Sequence, residues 1–177
     1  MIDPDTSVSV RRVRAATEDD LGGLADVVID CVDGGASIGF MDPLSRSVAL
    51  AFWRRVAADV ECGTRVLLVA QDATGIIGTV QLALDLPENQ PHRADLSKML
   101  VHRRARRRGV GAMLLRAAEE AAREHGRSLL VLDTASDSAE RLYERGGWIR
   151  VGVVPGFALL PDGAPCDTTF LYRRLGE

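Results

Sequence analysis

The sequence predicts one α/β domain built on a mixed sheet, and three observations carry that expectation. Residues 96–111 run from an apolar segment (Leu96-Ser97-Lys98-Met99-Leu100-Val101) through a basic loop (His102 to Arg108) into a helix pattern that opens on Gly109-Val110-Gly111. Residues 128–133 (Ser-Leu-Leu-Val-Leu-Asp) follow that helix as a nearly continuous apolar run, the pattern of a strand buried on both faces. A strand, a helix and a second strand in that order imply a right-handed parallel crossover. Residues 65–71 and 76–84 flank Asp72-Ala73-Thr74-Gly75, which reads as an antiparallel hairpin.

Taken from the start, residues 9–14 alternate apolar and polar and form a short strand. Thr17 is a good N-cap, with Glu18, Asp19 and Asp20 suited to the first turn. Leu21, Leu24, Val27 and Val28 recur at helical spacing, so this helix runs to about Val32 and Gly34-Gly35 ends it. Residues 36–43 are a loop carrying Ser37, Phe40 and Met41. Ser45 caps a second helix whose apolar face is Val48, Phe52, Val56 and Val60. Beyond the hairpin, residues 85–93 are a polar loop and residues 94–101 a strand. In the helix after Gly109 the apolar set is Val110, Met113, Leu114, Ala117 and Ala121, with Glu119 and Arg123 an i,i+4 pair opposite and His125-Gly126 closing it. Residues 138–145 form a short helix ended by Gly146-Gly147, residues 148–154 a strand, residues 155–167 a long loop, and residues 168–174 a final strand.

Bulk properties bound the function. The 177 residues suit one domain, 1–177, with a sizeable core. No apolar run reaches the length of a membrane span and the N-terminus lacks a signal-peptide core, so the expected location is cytoplasmic, away from membranes. The cysteines, Cys31, Cys62 and Cys166, are odd in number and widely spaced. That argues against a disulfide framework or a zinc site and makes them small buried or half-buried residues. No metal is expected. A net charge of −3 argues against nucleic acid as partner. Lys98 is the only lysine, which reads as the codon bias of a GC-rich bacterial genome.

The basic loop carries the chemistry. The first turn of a helix presents backbone N–H groups without intrahelical partners and a partial positive charge, so a glycine-rich cationic loop leading into it can cradle phosphate. Taken alone, residues 103–111 also allow a solvated face or a nucleic-acid patch.

Further residues then match a family. Val101-His102-x-x-x-Arg106-x-x-Gly109-x-Gly111 resembles the acetyl-CoA signature of the GNAT superfamily of N-acetyltransferases, Q/R-x-x-G-x-G/A. Ala139-Glu140-Arg141-Leu142-Tyr143-x-x-x-Gly147-Trp148 is similar to its second hallmark, A-x-x-L-Y-x-x-x-G-F/W. The order β-α-α-β-β-β-α-β-α-β-β fits as well. Gly39-Phe40-Met41-x-Pro43-Leu44, Ala51-Phe52-Trp53 and the tail Phe157-Ala158-Leu159-Leu160-Pro161-Asp162-Gly163 resemble the tabtoxin-resistance type. Arg103 departs from the usual proline, and Ser136 from the usual asparagine.

The resemblance implies a mostly antiparallel sheet with a central splayed parallel strand pair, flanked by helices. It implies acetyl-CoA as cosubstrate, its arm lying against the backbone of Met99, Leu100 and Val101. The amides of Arg108, Gly109, Val110, Gly111 and Ala112 would hold the pyrophosphate, with Arg106 and Arg107 adding charge. Acetyl transfer needs a neutral amine, a stabilised oxyanion and a proton for the leaving thiolate. Tyr143 stands where the superfamily places an acid. Asp133, at the end of a buried strand, can accept the amine's proton or anchor an ammonium group. Phe40, Met41, Asp133 and Phe157 would line the acceptor site. His92 and Asp95 are weaker base candidates, and His102 and His125 read as loop and helix-end residues. The expected reaction is direct attack by the amine of a small molecule, an amino acid-like metabolite or toxin, on the thioester. The alternatives are a protein or peptide N-acetyltransferase and a non-catalytic acyl-CoA sensor. The reading allows a homodimer.

Overall fold

The computed structural model describes residues 7–176. The first six residues and the last of the expected 1–177 domain lie outside that range. In chain order the elements are β1 (Ser9–Val13), α1 (Glu18–Asp33), α2 (Arg46–Glu61), β2 (Arg65–Asp72), β3 (Gly75–Ala83), β4 (Arg93–Val101), α3 (Val110–Glu124), β5 (Leu129–Thr134), α4 (Asp137–Arg145), β6 (Ile149–Leu159) and β7 (Pro165–Arg174). A short 3-10 turn, Arg103–Ala105, leads from β4 towards α3. The order is the one expected. Among the described residues no helix is long and apolar enough to cross a membrane.

The strands form one seven-stranded sheet in the order β1-β2-β3-β4-β5-β7-β6. Every pairing is antiparallel except β4 with β5. That parallel pair follows from the α3 crossover, since a helix is what lets two consecutive strands run the same way.

Each face of the sheet buries its own apolar set. On one face Leu114, Ala118 and Ala122 of α3 pack on Val80, Leu82, Ala94, Leu96, Leu130 and Leu132. On the other, Leu24, Val28 and Trp53 of α1 and α2 cover Val13, Leu67, Val69 and Leu100. Trp53 and Leu24 are fully buried, and burying side chains of this size is worth about 1.5–3 kcal/mol each. Helix α1 starts on a complete capping box: Asp20 N–H donates to the Thr17 hydroxyl and Thr17 N–H to the Asp20 carboxylate, both at 3.1 Å.

Four details differ from the sequence reading. In α2 the expected Phe52, Val56 and Val60 do pack on the core, but Val48 is exposed, and Ala49 and Trp53 are buried beside them. Glu119 does not pair with Arg123. It accepts from the Trp148 indole N–H at 3.2 Å and lies 3.8 Å from Arg173, because a buried indole needs an acceptor more than an exposed arginine does. Cys62 is exposed, at the C-cap of α2; Cys31 is buried and Cys166 half-buried. Residues 155–167 are not a long loop. They extend β6 to Leu159 and open β7 at Pro165, leaving a tight turn in which the Leu160 N–H donates to the Ala164 carbonyl at 2.8 Å. Pro155 is tolerated because β6 is the edge strand, and the register shifts between Val154 and Ala158.

Candidate active site

The site follows from where the parallel pair parts. Arg93, Ala94 and Asp95 pair with Leu129, Leu130 and Val131, and the pairing stops there. Beyond Asp95, β4 stays with β3, and beyond Val131, β5 stays with β7. The two halves of the sheet therefore diverge and leave a cleft between residues 96–101 of β4 and 132–134 of β5. A bulge accompanies the split. Gln81 faces Ser97 and Thr79 faces Leu100, so Lys98 and Met99 together oppose Val80 alone. Lys98 sits in the bulge at φ +50°, a left-handed conformation rare for a residue with a side chain.

One mouth of the cleft is the loop into α3. Arg107 (φ +62°) and Gly109 (φ +78°) are both left-handed, and Gly109 caps the helix without a side-chain hydrogen bond. The amides of Val110, Gly111 and Ala112 precede the first intrahelical bond, Met113 N–H to the Gly109 carbonyl at 3.1 Å. Gly111 also brings the two sequence hallmarks together. A Cβ on it would lie 2.9 Å from a terminal methyl of Leu142, so a side chain here would push Leu142 aside where α3 meets α4.

The arginines of the loop divide their work. Arg103 donates to Asp30 through its backbone N–H at 2.7 Å and its Nε at 2.9 Å. Burial opposes ionisation of Asp30, yet these bonds hold its carboxyl below the usual range. Arg108 lies 3.1 Å and Arg104 3.5 Å from Asp72, whose carboxyl is held down to about 2 by the Thr74 hydroxyl and N–H together with these guanidinium groups. Arg106 folds back to donate to the Val101 carbonyl at 3.3 Å. Among the described residues Arg107 has no carboxylate partner. Arg103, Arg104 and Arg108 are thus paired within the protein, which leaves Arg106 and Arg107 as the loop's cations with no carboxylate partner among the described residues.

Helix α4 carries Tyr143 to the cleft. Its ring is 3% exposed and packs on Trp148 with centroids 5.6 Å apart. Burial pushes its phenol well above the ordinary range, with the charge of Asp133 adding to the effect, so the hydroxyl stays protonated at neutral pH. Asp133 is solvent-exposed and accepts from the Thr168 hydroxyl at 3.2 Å. Asp95 closes the parallel pairing; burial raises its carboxyl against the pull of Arg93. His92 precedes β4 at the paired end of the strands, where its carbonyl accepts from Ser128 and Leu129. It is away from the cleft.

The opposite mouth has aromatic walls. Phe40 meets Phe52 edge to face at 5.2 Å, and Phe157 meets Phe170 in the same way at 5.7 Å. Phe170 pairs with Asp133 across β5 and β7, which sets the second wall beside that carboxylate. Met41, expected here too, stands 48% exposed. The loop between α1 and α2 ties these walls together. The Ser37 hydroxyl donates to the Leu159 carbonyl at 2.8 Å, and the Asp42 N–H to the Pro161 carbonyl at 3.1 Å.

Lys98 is the residue that sequence reasoning passed over. Its ammonium lies 5.8 Å from the centre of the Phe52 ring, and a Cβ on Gly39 would come within 3.7 Å of it. Burial lowers its pKa and Arg65 adds to the fall, while Asp133 opposes both. A unique lysine within the strand that leads to the basic loop is the one available signal.

A cleft with a phosphate-compatible helix end at one mouth and ionisable groups at the other suits a phosphate-bearing ligand that meets a polar reactant. Residues 39–148 match the acetyltransferase (GNAT) family. The chain is 33% identical over 130 residues to an uncharacterised N-acetyltransferase in the hisH–hisA intergenic region of Azospirillum brasilense, covering 72% of this chain and 76% of that one. Solved structures share the fold. A ribosomal-protein-alanine N-acetyltransferase from Brucella melitensis superposes with a TM-score of 0.80 at 24% identity, over 94% of this chain and 99% of that one. A phosphinothricin acetyltransferase from Sinorhizobium meliloti, in complex with acetyl-CoA, gives 0.79 at 21% identity, over 96% and 89%. An N-acetyltransferase from Staphylococcus aureus Mu50 gives 0.79 at 15%, over 97% and 100%. The chain belongs to the GNAT family of acetyltransferases. It is an acetyl-CoA-dependent N-acetyltransferase, acetyl-CoA being the cosubstrate of that family.

Proposed function

We propose that this chain is one catalytic domain that acetylates the amine of a small molecule, an amino acid-like metabolite or toxin. The amine attacks the thioester directly. The observation that carries the small-molecule reading is the tie between the α1–α2 loop and the β6–β7 turn, through Ser37 with Leu159 and Asp42 with Pro161. These bonds hold the α1–α2 loop against the β6–β7 turn beside the acceptor mouth, a bridge that an extended peptide would have to pass and a small amine would not.

The residues present fit acetyl-CoA. Left-handed Arg107 and Gly109 with the open amides of residues 110–112 suit its pyrophosphate, with Arg106 and Arg107 supplying charge. Arg108 serves the site indirectly, since its guanidinium is engaged with Asp72. The edge of β4 freed by the split, Met99 to Val101, suits the arm. Acetyl-CoA supplies an activated acetyl group as a thioester. The chain's own groups do the rest. Asp133 anchors the amine and takes its proton directly or through water. The Tyr143 hydroxyl donates a hydrogen bond where thiolate charge develops. Full proton transfer from it is uphill, because an ordinary tyrosine already lies about 1.5 units above a thiol, or about 2 kcal/mol, and burial widens the gap.

A thiol-release assay over amino acids, polyamines, β-lactam toxins and peptides tests this reading. Turnover is expected with small amines. Acetyl-CoA bound without turnover on any of them would make the chain a sensor, and turnover on peptides alone would make it a protein acetyltransferase.

For assembly we propose a homodimer through β6. This edge strand exposes Ile149, Val151 and Val153, with Val151 69% exposed, and an apolar open edge is a template for pairing. Sedimentation equilibrium at micromolar concentration is expected to give twice the chain mass; a single-chain mass contradicts it. A cytoplasmic location fits a donor made and used inside the cell.

A further inference from the structure

Lys98 is a cation that the protein itself leaves unanswered. Among the described residues its ammonium makes no ion pair or hydrogen bond, although the chain spends a left-handed backbone position in a bulge on placing it. Its surroundings are the Phe52 face and Gly39 on one side, and the charge of Asp133 acts on it from the far side of the cleft. Asp133 is not within ion-pair distance, so the two opposite charges stand apart. A second donor surplus lies next door. Gln81, 1% exposed, is the β3 partner of Ser97 and so sits one residue from Lys98. Its Oε1 accepts from Arg65 at 2.9 Å, which fixes the amide orientation and leaves Nε2 buried with no acceptor. Buried donors without acceptors are costly and call for an explanation.

We propose that Lys98 is the acceptor-specificity residue of this enzyme, holding the carboxylate of an amino-acid substrate whose amine faces Asp133. This rests on the small-amine reading above and names its substrate class as zwitterionic. An ammonium and a carboxylate separated across one cleft are complementary to the two ends of an amino acid. Lys98 is partly buried against the Phe52 ring, where a charge-assisted contact is less screened than in open water. A neutral amine without an acid group leaves Lys98 desolvated and unpaired, so the site rejects it.

The test compares L-amino acids with the amines left by removing their carboxyl group, in the wild-type protein and in Lys98→Met and Lys98→Arg. The wild type is expected to favour the acids in kcat/KM by about ten- to a hundredfold, the size of a charged hydrogen bond. Lys98→Met erases that ratio through KM, and Lys98→Arg restores part of it. Acetyl-CoA titration reports whether each variant is folded. Simple carboxylic acids, tested on the wild type alone, are expected to inhibit competitively against the amino acid. A wild type that acetylates acids and decarboxylated amines alike overturns the proposal while the small-amine reading stands. A Lys98→Met variant that keeps the ratio but loses the rising limb of the kcat–pH profile makes Lys98 a base and also overturns it. Acetyl-CoA binding without turnover of any small amine overturns both.

Discussion

Replacing Tyr143 with Phe is expected to lower kcat about a hundredfold, the lower end of what one hydrogen-bond donor aimed at developing charge contributes, with acetyl-CoA affinity changed by no more than about threefold. The substitution removes one oxygen and keeps the ring, so the packing on Trp148 at 5.6 Å survives. What disappears is a hydroxyl that burial holds protonated throughout the neutral range. Because that proton is held so firmly, the phenol stabilises thiolate charge by donation, and the wild-type kcat profile gains no falling limb from Tyr143 below about pH 10. Rapid-mixing assays of thiol release, with calorimetric acetyl-CoA titration beside them, separate the two effects. An unchanged kcat removes Tyr143 from the chemistry.

Gly109→Val is expected to act in the opposite way, weakening acetyl-CoA binding at least tenfold while leaving kcat at saturation nearly unchanged. Gly109 holds φ +78° and Arg107 just before it φ +62°. Left-handed backbone costs a side-chain residue roughly 1–2 kcal/mol, more when it is β-branched, and 1.4 kcal/mol is a factor of ten in affinity. The loop escapes the strain by turning its amides out of the geometry that faces α3's open N–H groups. Stability falls less than affinity, because valine also restricts the unfolded chain. Titration of acetyl-CoA and of its dephosphorylated fragment pantetheine distinguishes the causes. Loss of affinity for the first alone places the damage at the phosphates; equal loss for both contradicts the assignment.

Most of the architecture was legible because local rules and tertiary packing agree. Thr17 and Ser45 cap the helices they were expected to cap, the Asp72–Gly75 turn joins β2 to β3, and the α3 crossover makes β4 and β5 parallel. Both hallmark motifs lie in the elements expected of them, and Gly111 against Leu142 shows why they occur together. The failures are long-range. Nothing near Arg108 in sequence announces Asp72, 36 residues away, nor does anything near Glu119 announce Trp148. Pro155, Gly156 and Pro165 read as loop because proline and glycine weaken interior strands; Pro155 and Gly156 are accepted because β6 is the edge strand, and Pro165 because it is the first residue of β7. As the chain's only lysine, Lys98 reads from sequence as codon usage. Its meaning depends on a bulge and a strand divergence that no local pattern records.

In the proposed mechanism the divergence of β4 from β5 after Asp95 and Val131 seats the thioester between an anion-binding loop and an amine-binding site. A crystal structure with acetyl-CoA bound is expected to show the pyrophosphate on the amides of residues 108–112, the arm against Met99 to Val101, and the sulfur within hydrogen-bond reach of the Tyr143 hydroxyl. Acetyl-CoA bound with its arm outside the cleft, or with its sulfur beyond the reach of Tyr143, would contradict it.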